Sequence, residues 1–161
     1  MGTEMQGAGT IVRLQKPIER VVASGHPWVF RDALKPFDGR PGEIATLLDT
    51  QWRFLARGLI EEGPIGLRLW TLVDEKIDAH LIGRRLQEAM ELRQRLNPDE
   101  TNAYRLIHGE GDRLPGLICD RYDHTVVLAY DGAAMATWHD VLMEILRPHL
   151  LGLGIRNALV R

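Results

Sequence analysis

Between Thr10 and Val73 short β-like runs alternate with chain breakers, and that spacing limits the possible folds more than any other feature of the sequence. The runs are Ile11 to Leu14, Glu43 to Leu48, Arg53 to Ile60 and Ile65 to Leu72, with breakers at Pro36 to Gly42 and Glu62 to Pro64. Strands this short cannot bury their apolar faces singly. Several of them in so little chain predict a compact β-barrel or pseudobarrel. A short helix is expected at Pro17 to Ser24, because proline is tolerated in a first helical turn and Gly25 stands just past the end.

A helical period takes over at Asp78. Leu81, Ile82, Leu86, Ala89, Met90 and Leu92 recur at mostly three- and four-residue steps up to Leu96, with Arg84, Arg85, Glu88, Glu91, Arg93 and Arg95 between them. This is the pattern of an amphipathic helix whose charges pair along a solvated face. From Tyr104 the pattern returns to strands at Tyr104 to Ile107, Leu117 to Cys119 and Thr125 to Tyr130. A helix from Ala133 to Leu146, ending near Pro148, and a last strand from Ile155 to Val160 follow. The expected fold class is α+β: a β-pseudobarrel at 10–73, a linking helix at 74–100 and a small strand-strand-strand-helix-strand domain at 101–161. Residues 1–9, small and mostly polar, read as a flexible leader.

The connection from Gly109 to Gly116 is longer than a hairpin needs. It carries Glu110, Asp112 and Arg113 just before Pro115-Gly116. Strands that fix the ends of a loop let it present side chains, so the run reads either as a working loop or as a charged, solvated turn.

Composition bounds the partners. A chain of 161 residues, 45% hydrophobic, has room for one ordinary domain or two small ones, and two small units are expected. The formal net charge is -2 and the pI about 6.3. Residues 1–73 carry nine Lys+Arg against eight Asp+Glu, and 74–161 carry eleven against fourteen, so any RNA surface must be a local patch. Seventeen of the twenty basic residues are Arg, which suits phosphate forks, although a GC-rich genome produces the same excess. The single Cys excludes an intrachain disulfide and fits a reducing cytoplasm; Cys119, in an apolar run, reads as core. No apolar stretch approaches the ~20 residues that span a bilayer and no basic-then-apolar signal opens the chain, so a soluble, cytoplasmic protein with no membrane partner is expected.

Three motifs occur in one order: His26-Pro27-Trp28-Val29-Phe30; then Phe54-Leu55-Ala56-Arg57-Gly58 with Leu67-Arg68-Leu69-Trp70-Thr71; then the run from Tyr104 to Tyr122. Together they resemble the amino-terminal half of the PUA-containing, SAM-dependent methyltransferases that make 5-methylcytosine in large-subunit ribosomal RNA. The resemblance runs from about Ile11 to the end of the chain. It implies a PUA-like RNA-binding domain, ribosomal RNA as partner, and a carboxy-terminal catalytic domain that supplies both the SAM site and the catalytic cysteines. By that resemblance the complete enzyme needs SAM, while these 161 residues are expected to hold no cofactor and not to be catalytic alone. The family reads Gly where this chain has Arg113, and Gly again where it has Asp123, two side chains that tolerate positive φ less well than glycine. Gly152-Leu153-Gly154 follows a helix and precedes a strand, the reverse of a nucleotide-binding fingerprint, so it reads as a helix end. A homodimer is left open, as are two rival classes: a free-standing RNA-binding adaptor and a protein-docking domain with no RNA role.

Candidate RNA contacts are His26, Arg31, Arg53, Arg57 and Arg68. His26 and Arg31 bracket the Trp28 to Phe30 segment, whose aromatics read first as core and second as base-stacking platforms worth ~1–3 kcal/mol per base. A structural His26 stands as the alternative. Arg53 and Arg57, four apart in an expected strand, share a face and would form a phosphate stripe; the alternative is ion pairing to Glu61 or Glu62. Around the loop, Arg105, Glu110, Asp112, Asp120 and Arg121 are expected to dock the catalytic domain or line its RNA cleft, with Arg105 and Arg121 pairing to the loop carboxylates Glu110 and Asp112. The acidic and His residues there lack both EF-hand and zinc spacing, so no metal is expected. Nor does a nucleophile stand with Glu110 and Asp112 as an acid–base pair.

Overall fold

The computed structural model describes residues 9–96 and 100–161. All of the expected leader except Gly9, and positions 97–99 of the expected linking segment, lie outside the described residues. The chain divides into two compact units, Met1–Asp78 and Ala79–Arg161.

The first unit contains β1 (Thr10–Arg13), α1 (Glu19–Ala23), β2 (Trp28–Phe30), β3 (Ile44–Leu48), β4 (Phe54–Ile60) and β5 (Ile65–Thr71). Its five-stranded sheet has the order β1-β3-β4-β5-β2, with β1 parallel to β3 and the other pairs antiparallel. A bridge between Leu14 and Leu34, with Lys35 N–H donating to the Arg13 carbonyl at 2.8 Å, brings the two ends of the sheet together as a pseudobarrel. Val12, Leu14, Val29, Ala45, Leu47, Ala56, Ile60 and Leu67, each at most 1% exposed, fill it. Complete burial of a Val, Leu or Ile contributes ~1.5–3 kcal/mol, enough for so small a core to hold short strands. Strand β2 was not expected from the sequence, for three residues between breakers carry too little pattern. It exists because Val29, fully buried, locks onto β5 while Trp28 is half-buried and Phe30 is 47% exposed. The expectation that both aromatics are core therefore fails for Phe30. Gly58 permits the closest approach of β4 to β5: a Cβ there would lie 2.2 Å from the Arg68 carbonyl oxygen.

The second unit contains α2 (Ala79–Arg93), β6 (Ala103–His108), β7 (Leu117–Tyr122), β8 (Thr125–Tyr130), α3 (Ala133–Ala136), α4 (His139–Gly152) and β9 (Asn157–Val160). Its sheet has the order β6-β7-β8-β9, antiparallel except for the parallel pair β8 and β9. Helix α2 packs on β6, on the Gly109–Asp112 turn and on α4. Leu81, Ile82, Leu86, Ala89 and Met90 are buried, but Leu92 is 50% exposed and so drops out of the expected apolar stripe. Arg85, expected among the solvated charges, is buried and donates to the Arg113 carbonyl at 2.6 Å.

The helix expected at Ala133 to Leu146 is two helices, and the second passes through Pro148 to Gly152. Proline removes one N–H and crowds the preceding turn, at about 3 kcal/mol or more. Leu142, Leu146 and Leu150 nevertheless form one buried stripe at four-residue steps, and their burial offsets that loss. Tertiary packing overrides the local stop signal here.

Candidate nucleic-acid interface

In the first unit the expected RNA contacts separate into exposed and committed side chains. His26 is exposed; its Nδ1 accepts the Trp28 N–H at 3.3 Å, and the two rings meet edge-on. Arg31 is exposed yet oriented, donating to the Glu61 carbonyl at 2.6 Å and the Gly63 carbonyl at 3.1 Å, with its guanidinium over the Phe37 ring. Arg53 precedes β4 and folds back on Asp49, Nε to Oδ2 at 2.6 Å, with the Arg53 side chain 71% exposed. Burial pushes the Asp49 carboxyl up, but the Arg53 backbone N–H, the Arg53 guanidinium and the Gln51 N–H outweigh it and hold the carboxyl below the usual range. That anchored turn lets Trp52 adopt φ 67° and stand 64% exposed, with the Arg13 guanidinium 4.5 Å from the ring centroid.

Arg57 is only 16% exposed in its side chain and spans Asp74 at 2.5 Å, the Glu75 carbonyl at 2.7 Å and the Thr46 hydroxyl at 3.2 Å. Arg53 and Arg57 therefore do not form the expected stripe, because Arg53 lies in the turn before the strand and each guanidinium turns to its own acid. Arg68 needs a larger correction. It is buried beside Glu61, Nε to Oε2 at 2.9 Å with side chains 5% and 3% exposed, so it has no surface to offer a phosphate. The alternative weighed for the strand arginines, ion pairing to Glu61, holds for Arg68 itself.

In the second unit the expected pairings are exchanged. Asp112 is forked by Arg93, with 2.7 Å to each oxygen, and Oδ2 also accepts the His108 N–H at 2.6 Å. Leu114 is fully buried and its N–H donates to the Gly109 carbonyl at 2.9 Å, so the long connection is a folded turn tied to α2. Arg105 pairs with Asp120 instead, at 2.8 and 3.1 Å. The Arg105 hydrogen bond, acting against partial burial, holds the Asp120 carboxyl below the usual carboxylate range. Arg121 donates to Tyr104 Oη at 3.0 Å, the Asp123 carbonyl at 2.9 Å and the Leu153 carbonyl at 3.3 Å. Glu110 is half-buried in the turn. A cleft of about 570 Å³ opens beside these groups, lined among others by Tyr104, Arg105, Arg121 and Tyr122. The sequence reading missed Trp52, Tyr104 and Tyr122 as surface aromatics; Trp52, set among polar residues after Asp49-Thr50-Gln51, carried the clearest signal.

Among the described residues, the turn that leaves β8 does not fit a SAM loop of the dinucleotide type. Strand β8 does lead through Asp131-Gly132 into α3, and α4 carries the chain to β9, parallel to β8, yet the turn has one glycine and α3 only four residues. A dinucleotide-type loop needs several glycines opening a long helix. Among the described residues no group of three or more His, Cys, Asp or Glu could hold a metal ion, and no helix is long and apolar enough to cross a membrane.

Residues 12–72 match the family model of the PUA-like domain. Curated relatives include a ribosomal RNA large subunit methyltransferase I from Tolumonas auensis, 38% identical over 142 residues, covering 84% of this chain and 36% of the relative. The protein of the same description from Yersinia pseudotuberculosis is 37% identical over 139 residues, with 83% and 35% covered. This chain thus spans about a third of the length of the curated relatives it matches. Among solved structures, a Streptococcus mutans protein described as a SAM-dependent methyltransferase aligns with a TM-score of 0.79 at 15% identity, covering 94% of this chain and 41% of that one. A methyltransferase complexed with SAH aligns at 0.77, with 15% identity and 94% and 40% covered. At 15% identity these two bear on the fold alone. The matched stretch of 142 residues is longer than either unit, so the chain contains a PUA-like domain and shares homology, across both units, with ribosomal RNA large subunit methyltransferases.

Proposed function

We propose that this chain is the RNA-recognition portion of a SAM-dependent ribosomal RNA cytosine-5 methyltransferase acting in the cytoplasm. The observation that carries the reading is the 37–38% identity to large-subunit rRNA methyltransferases over some 140 residues, of which 12–72 are PUA-like. In this reading the remaining length of such enzymes supplies SAM and the catalytic cysteines, and these 161 residues transfer no methyl group unaided. Within the first unit, His26, Arg31 and Arg53 meet the RNA, because they are exposed and each is held in place by a hydrogen bond or ion pair, with the exposed Trp52 next to Arg53 in the chain for stacking. Arg57 and Arg68 act behind that surface as braces.

Fluorescence anisotropy of a labelled large-subunit rRNA fragment, titrated at several salt concentrations, tests the proposal. Affinity that falls linearly on log-log axes, by roughly 0.7 per single-strand phosphate contact, supports it. Absence of binding at low salt sinks it and favours the protein-docking alternative.

A further inference from the structure

Several first-unit arginines are committed to an acid: Arg40 to Glu43, Arg53 to Asp49, Arg57 to Asp74 and Arg68 to Glu61. Arg13 in β1 is not. Among the described residues its guanidinium makes no hydrogen bond and no ion pair, and it lies instead 4.5 Å from the centre of the Trp52 ring. The two meet because Arg13 stands level with Leu48 in the β1–β3 register, and the turn from Asp49 to Arg53 begins at the next residue.

That turn is tied at every step. The Asp49 N–H donates to the Arg53 carbonyl at 2.9 Å and the Trp52 N–H to the Asp49 carbonyl at 3.2 Å, while Asp49 Oδ1 accepts the Gln51 and Arg53 N–H groups at 2.8 Å each. The turn holds Trp52 at φ 67° and leaves it 64% exposed. Folding alone favours glycine at such an angle and a polar side chain at such exposure; strain of this kind persists where a site uses it. Arg13 backs one face of the ring, and the exposure of Trp52 leaves the other to solvent. Across the Leu14–Leu34 bridge, Lys35 stands opposite Arg13, its N–H donating to the Arg13 carbonyl at 2.8 Å. Leu14 and Leu34 both point into the core, so Arg13 and Lys35 beside them point outward. Lys35 is exposed and, among the described residues, also has no ion pair.

Two uncompensated cations beside an open indole face complement a nucleotide, which carries an anionic phosphate and a flat base. We infer that Trp52, Arg13 and Lys35 form a subsite for one unpaired nucleotide of RNA, the base stacked on the open face of Trp52 and a flanking phosphate held by Arg13 and Lys35. A base inside a duplex is already stacked on both sides, so the subsite selects single-stranded segments. The inference rests on the RNA-binding reading above; it adds two cations outside the candidates drawn from sequence and makes the ligand an unpaired nucleotide.

The test is anisotropy of a fluorescein-labelled oligouridine and of an abasic phosphodiester oligomer of the same length. The full chain is used as wild type, Trp52→Ala, Trp52→Phe, Arg13→Gln and Arg31→Ala, each over a salt series. Trp52→Ala is expected to weaken oligouridine binding by about 5- to 150-fold, the equivalent of ~1–3 kcal/mol of stacking, and to leave the abasic oligomer and the salt slope unchanged. Trp52→Phe keeps a ring and is expected to recover most of that loss. Arg13→Gln is expected to weaken both ligands and flatten the log-log salt slope by roughly 0.7. If Trp52→Ala weakens both ligands alike, the ring only props Arg13 and the base contact is overturned. If Trp52→Ala binds oligouridine normally while Arg31→Ala binds weakly, the subsite falls although the RNA reading stands. No binding by the wild-type chain overturns both. Displacement of the probe by oligoglutamate as readily as by unlabelled oligouridine makes the patch a seat for acidic peptides, and the inference falls.

Discussion

Arg68 Nε donates to Glu61 Oε2 over 2.9 Å with both side chains almost wholly removed from water, at 5% and 3% exposure. The pair joins β5 to the residue that follows β4, directly beneath the Arg31 anchor at the Glu61 carbonyl. Removing one member strands a buried charge, which costs about 3–5 kcal/mol, whereas replacing both by apolar residues of similar size is often neutral. Arg68→Met is therefore expected to lower first-unit stability by that amount, and Arg68→Met with Glu61→Leu to recover most of it. Urea unfolding followed by tryptophan fluorescence reads both; equal losses in the single and double variants contradict this account.

Asp123 and Arg113 both adopt left-handed φ, 53° and 57°. A side chain in that region costs roughly 1–2 kcal/mol, while glycine loses about 0.5–1 kcal/mol more backbone entropy on folding. Asp123→Gly is thus expected to stabilise the second unit by about 0.5–1 kcal/mol, seen as a raised thermal midpoint. Arg113→Gly should gain similarly, since it gives up an exposed pair with Glu88 as Asp123→Gly gives up exposed contacts with Asn102 and His124.

The Arg105 hydrogen bond makes Asp120 a stronger acid in the folded chain than in the unfolded one. A depressed folded pKa stabilises above the ordinary value of 3.8 and loses that contribution as pH falls below it. Carboxyl NMR titration should place Asp120 below 3.8 in the wild type and return it toward that value in Arg105→Gln. An unchanged midpoint in the variant rules out Arg105 as the cause.

Cys119 is fully buried in β7, and burial, with the nearby Asp120 charge, pushes its thiol up to about 12. Three units above the ordinary value of 9.0, the thiolate fraction near pH 8 falls about a thousandfold. Ellman's reagent should find no rapidly reacting thiol in the native chain and one in urea.

Much of the fold was legible locally. Breakers at Pro36 to Gly42 and Glu62 to Pro64 marked the strands of the first unit, and the three- and four-residue recurrence of Leu81, Leu86 and Met90 marked α2. Strand β2 was hidden because Trp28 to Phe30 has no period to read, and α4 crosses Pro148 because its leucine stripe packs.

The sequence alone determined the α+β class, the α2 and β8 segments, the absence of an intrachain disulfide and the likeness to PUA-containing rRNA methyltransferases. Residue type also marked which cations were candidates. Only the tertiary structure decided which of them were committed: Arg68 to Glu61 inside the first unit, Arg93 to Asp112 under the turn, Arg105 to Asp120, and Arg121 to neutral acceptors beside an open cleft. The physical reason is that an arginine side chain reaches partners far from it in sequence, so its role depends on which strand or helix the fold sets within that reach.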